Sequence, residues 1–85
     1  MNYYVKVAVA TEEHKKFEGK KIVTLEPMTL NLKGEKVVIP VNTEGVVVPP
    51  DRECQQVLHK DSLCIKVGGH PLSFVTSKSS VKVLN

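Results

Sequence analysis

Residues 35–48 read Glu35-Lys36-Val37-Val38-Ile39-Pro40-Val41-Asn42-Thr43-Glu44-Gly45-Val46-Val47-Val48. β-branched side chains are stiff at χ1 and fit a pleated surface. Val37 to Ile39 is therefore expected as one strand and Val46 to Val48 as its return, with Asn42-Thr43-Glu44-Gly45 as the turn between them. Pro49-Pro50-Asp51 ends the return strand, because proline has no N–H for a sheet ladder.

Upstream, Met28, Leu30 and Leu32 alternate with polar residues before Lys33-Gly34 turns the chain, and Lys20 to Glu26 forms a further strand stopped by Pro27. Tyr3, Val5, Val7 and Val9 share one face of a half-buried strand. The polar run from Thr11 to Lys21 between them reads as a long turn. Downstream, Arg52 to Gln56 reads as a loop. Val57 to His59 and Leu63 to Val67 flank Lys60-Asp61-Ser62 as a hairpin. Gly68-Gly69-His70-Pro71 turns into a strand from Leu72 to Thr76, and a last strand runs from Val81 to Leu84 after Ser77 to Ser80. No segment repeats at the i, i+3, i+4, i+7 spacing for the ten or more residues a helix needs. The expected class is all-β.

From Lys33 onward, Lys33-Gly34-Glu35 leads into Val37-Val38-Ile39, then come Thr43-Glu44-Gly45-Val46-Val47, two hairpins, Phe74-Val75, a Ser-rich turn and Val81-Lys82-Val83-Leu84. This order resembles a Src-homology-3-like small β-barrel of the kind seen in KOW-type modules. The resemblance implies a 3₁₀ turn within Thr76 to Ser80, before the last strand. It makes residues 33–85 the barrel and residues 1–27 an N-terminal hairpin extension of a single domain, covering a sheet edge or forming an interface. Pro-rich-peptide binders of this fold present clustered aromatics, whereas residues 33–85 offer only Phe74.

Residues 1–53 balance eight Lys/Arg against eight Asp/Glu, so the net charge of +3 lies in residues 54–85, where four lysines face only Asp61. Lys60, Lys66, Lys78 and Lys82, with His70 at a loop tip, are the expected binding stripe. Phe17 is the anchor if the segment around Glu12-Glu13 and Lys15-Lys16 is an interaction tip rather than a solvated loop. Small barrels bind nucleic acid through such faces, but arginine occurs once and the basic region, with Phe74 its single aromatic, lacks a base-stacking set. A protein partner or a second copy of the chain is therefore expected ahead of nucleic acid. Val5 to Ala10, interrupted by Lys6, is too short for a signal-peptide core, and no run approaches the ~18 apolar residues of a membrane span. The expectation is a cytoplasmic protein without a membrane partner.

Cys54, His59, Cys64 and His70 are zinc-ligand types, but their C-x4-H-x4-C-x5-H spacing lacks the tight knuckle of a structural site. If Lys60 pairs with Leu63, His59 lies beside Cys64 while Cys54 points to the opposite face. A disulfide is then out of reach. Cys64 and His59 have the residue types of a thiol nucleophile and its base, yet nothing marks an orienting group or an oxyanion hole. Gly68-Gly69 has neither the spacing nor the following helix of a phosphate loop. No enzyme activity, metal or cofactor is expected.

Overall fold

The computed structural model describes residues 12–32 and 34–84; the alternating Tyr3 to Ala10 segment lies outside the described residues. The architecture is all-β, with a curled sheet. Its strands are β1 (Lys21–Thr24), β2 (Met28–Leu32), β3 (Glu35–Ile39), β4 (Glu44–Val47), β5 (Ser62–Val67), β6 (Phe74–Ser77) and β7 (Val81–Leu84). A short helix α1 (Arg52–Val57) joins β4 to β5, and a 3₁₀ turn (Lys78–Ser80) joins β6 to β7.

β6-β5-β4-β1-β7 form a five-stranded sheet, while β2 and β3 pair only with each other. The β2–β3 hairpin is pinned by Gly34 at φ +81°, and Leu32 opposes Glu35 across the turn. Its directly opposed pairs Met28↔Ile39 and Leu30↔Val37 lie on one face and pack on the sheet's inner residues Ile22, Val47, Leu63, Ile65, Val67, Phe74 and Val81. Burying each large apolar side chain here contributes about 1.5–3 kcal/mol.

The chain crosses between the sheets at Pro40 to Thr43, and a buried threonine fastens that crossing. Thr24 Oγ1 donates to the Pro40 carbonyl (2.8 Å) and accepts from the Thr43 N–H (2.9 Å). The Thr24 carbonyl accepts from the Asn42 N–H, and Asn42 itself sits at φ +67°.

Four expectations are corrected. Val37 to Ile39 and Val46 to Val48 are not partners, because Pro40 offers no N–H and the turn at Val41 and Asn42 carries the chain into the other sheet, where β4 already starts at Glu44. Lys21–Thr24 is an inner strand bonded to both β4 and β7. Residues 12–15 are helical rather than part of a long turn. Arg52–Val57 is a helix because the Asp51 carboxylate caps the Cys54 N–H at 2.8 Å. The expected strand from Val57 to His59 is consequently the end of α1 and a loop, and β5 pairs with β4 and β6 instead.

The Gly68-Gly69 hairpin forms as expected, with Gly69 at φ +86°, although β6 starts at Phe74 rather than Leu72 because Pro71 to Ser73 stay outside the ladder.

Candidate interaction face

The outward side of the sheet follows from register. Lys66 opposes Val46, Val46 opposes Lys21, and Lys21 opposes Leu84, giving one row across β5, β4, β1 and β7. In the next row Glu44 opposes Val23 and Val23 opposes Lys82. Lys21 and Lys82 are diagonal neighbours, roughly 7–8 Å apart, and Lys66 lies two strand spacings from Lys21, roughly 10 Å. The lysines stand around a strip of Val23, Val46 and Leu84. Glu44 is the acidic side chain among them.

A shallow groove of about 460 Å³ runs over this face, lined by Lys21, Glu44, Val46, Lys66 and the half-buried His70, with glycines on its floor. Gly45, between Glu44 and Val46, faces the core side of β4 opposite Ile22 and Val67, where a Cβ would lie 2.7 Å from the Lys66 carbonyl oxygen. The structure thus brings Lys66, His70 and Lys82 to one face. It adds Lys21, which sequence reasoning missed because residues 1–53 balance in charge and only strand pairing sets Lys21 beside the others.

Lys60, Lys78 and Phe17 lie elsewhere, at the opposite end of β5. Lys78 Nζ donates to the Lys60 carbonyl at 2.6 Å and sits 4.8 Å from the centre of the Phe17 ring. Phe17 packs against the core. Lys78 is engaged in holding this corner together, so the expected single lysine stripe divides into two groups.

His14, read in sequence as part of a solvated or tip segment, is buried at 2% exposure. Its Nε2 lies 2.9 Å from the Cys64 N–H and its Nδ1 lies 3.0 Å from Glu18 Oε2. An amide N–H can only donate, so Nε2 accepts and Nδ1 carries the proton toward the carboxylate. The Cys64 carbonyl meanwhile accepts from Val48 N–H. His14 continues the edge that β4 abandons at Pro49, supplying an acceptor where the ladder stops.

The cysteine geometry also departs from expectation. Cys54 and Leu58, four residues apart, are buried together beneath α1. Cys54 Sγ lies 3.9 Å from Ser73 Oγ and 4.0 Å from the Ser73 carbonyl. Cys64 projects from β5 on the face opposite Leu63 and Ile65, opposed to Val75 and with Ser73 nearby. The helix packs against β6 where a hairpin would have sent Cys54 to the other face, so the Cys54 thiol and Ser73 both lie close to Cys64; both thiols are free. Burial pushes the Cys64 thiol up to about 12, with the Cys54 thiol beside it adding to the shift and Ser73 opposing it.

His59 is not the neighbour of Cys64: its Nδ1 accepts from the Asp61 N–H at 3.3 Å. Among the described residues no three His, Cys, Asp or Glu side chains converge as a metal site, and no helix is long and apolar enough to cross a membrane. The chain matches no protein-family model, no curated protein and no solved structure.

Proposed function

We propose that this protein is a Src-homology-3-like small barrel acting as a non-enzymatic, cytoplasmic interaction module, which presents the Lys21, Lys66 and Lys82 face to an acidic protein segment with apolar anchors. The fold reading is supported by the curled five-stranded sheet, the separate β2–β3 hairpin, the Gly68-Gly69 hairpin and the 3₁₀ turn before the last strand. The barrel in this reading starts at Lys21, upstream of the boundary suggested by residues 33–85.

One observation carries the functional reading: an outward sheet face interleaves Val23, Val46 and Leu84 with three lysines. Positive charge steers an acidic partner, and the apolar strip gives it area to bury. Nucleic acid is the competing partner. Three phosphate contacts would give a log–log salt slope of roughly −2.7, and no aromatic side chain joins Val23, Val46 and Leu84 to stack a base.

Fluorescence anisotropy with the full chain decides between them. A labelled peptide alternating Glu and Leu should bind at physiological salt and lose its affinity with Lys21→Glu plus Lys66→Glu, while a labelled oligonucleotide should not bind. Submicromolar, steeply salt-dependent oligonucleotide binding abolished by the same changes would establish the nucleic-acid reading instead.

A further inference from the structure

We infer that Cys54 and Cys64 form a thiol–disulfide exchange site that reacts with small-molecule disulfides through Cys54 and resolves the adduct through Cys64. This site is independent of the lysine face.

Three observations carry the inference. The two cysteines reach the same turn from different elements: Cys54 Sγ, on α1, lies 3.9 Å from Ser73 Oγ, and Cys64, on β5, is paired with Val75, two residues on from Ser73, with Ser73 and the Cys54 thiol both acting on it. Access is unequal: Cys64 is 0% exposed, whereas Cys54 is 8% exposed and lines an open hollow of about 590 Å³ together with Asp51, Arg52, Leu72 and Ser73. That volume is in the range of small-molecule sites. Finally, α1 is a short element capped by one carboxylate and packed against β6, so it can move toward Cys64 without disturbing the core under β5.

The chemistry balances. The Cys54 thiolate attacks one sulfur of a disulfide R–S–S–R, forming a mixed disulfide and releasing one R–S⁻, which takes up the proton lost by Cys54. The Cys64 sulfur, shedding its proton as it attacks, displaces the second R–S⁻ from Cys54, which leaves as R–SH. Two protein thiols are oxidised to one disulfide and R–S–S–R is reduced to two thiols. Cys64 suits the second step because it is shielded from reagents and held beside the adduct, where proximity compensates for its low thiolate fraction.

The test incubates the native full chain with glutathione disulfide at neutral pH, traps remaining thiols by alkylation, and reads intact mass and peptide cross-links. The wild-type mass should fall by the two thiol hydrogens with Cys54 linked to Cys64. Cys64→Ser should accumulate a single glutathione adduct on Cys54, and Cys54→Ser should stay unmodified. Wild-type protein that keeps both thiols, or holds a stable glutathione adduct without the cross-link, would overturn the site. So would Cys54→Ser reacting at Cys64 as fast as the wild type loses its thiols. The wild-type readout stands whether or not the variants fold.

Discussion

The Cys64 backbone N–H donates to the ring of His14, fifty residues away, at 2.9 Å. A side chain from a helical turn thereby does the work of a missing strand residue at the point where β4 has turned away. Replacing His14 with Ala leaves that buried amide unpaired and should cost about 1–3 kcal/mol, read as a lower urea midpoint with an unchanged slope. His14→Gln, whose amide oxygen can accept, should recover part of the loss. An Ala variant as stable as the wild type would show that water replaces the ring.

The Thr24 side chain fastens the crossing between the two sheets through its hydroxyl. Thr24→Val keeps the shape but leaves the Thr43 N–H and the Pro40 carbonyl without this partner. The expected loss is about 1–3 kcal/mol in a urea titration. Thr43→Val removes only an exposed bond to the same carbonyl and should fall well below that.

At Gly45 the obstacle is backbone. A methyl group would lie 2.7 Å from the Lys66 carbonyl oxygen, 3.1 Å from Ile22 Cδ1 and 3.2 Å from Val67 Cγ1. Gly45→Ala should destabilise by about 1–3 kcal/mol and separate β4 from β5. Amide exchange should show this as lost protection at Gly68, whose N–H donates to the Glu44 carbonyl across that seam. Unchanged exchange would mean that β4 can move aside.

The Asp51 carboxyl is held below its ordinary value of 3.8, first by the Cys54 backbone N–H that it accepts. A depressed acid stabilises the folded state above its ordinary value and loses that contribution as pH falls through the lower folded-state value. The α1 segment should therefore loosen in acid, visible as faster amide exchange at Cys54. Asp51→Asn, which caps without titrating, should remove that pH dependence. Identical acid profiles for the two proteins would assign the loosening to another group.

What the chain discloses before folding depends on how local the determinant is. The alternation of Met28 and Leu30, the Gly34 and Gly69 turns and the Ser-rich stretch before Val81 are all settled within a few residues, and each forms where sequence places it. Pairing is not local. Period-2 alternation says which way Val46 points but not that Lys21 and Lys66 lie to either side of it. Helix α1 is too short to show a period, leaving only Asp51 as a cap and Cys54 with Leu58 as a buried pair. His14 could have been marked by Glu18 four residues on and Phe17 three residues on. Its partner, a backbone amide on a distant strand, has no sequence signature.

Strand β1 is bonded on one side to β4 and on the other to β7, whose residues Val81–Leu84 lie some sixty positions downstream. On a ribosome, the β2–β3 and β5–β6 hairpins can assemble as soon as they emerge, but β1 must wait with one ladder edge bare until β7 arrives. Loops of that length are slow to close. The interval is the period in which a nascent chain is most exposed to pairing with a neighbour. Shortening it by circular permutation, so that β7 precedes β1, should speed refolding and raise soluble yield without altering any contact within the finished sheet.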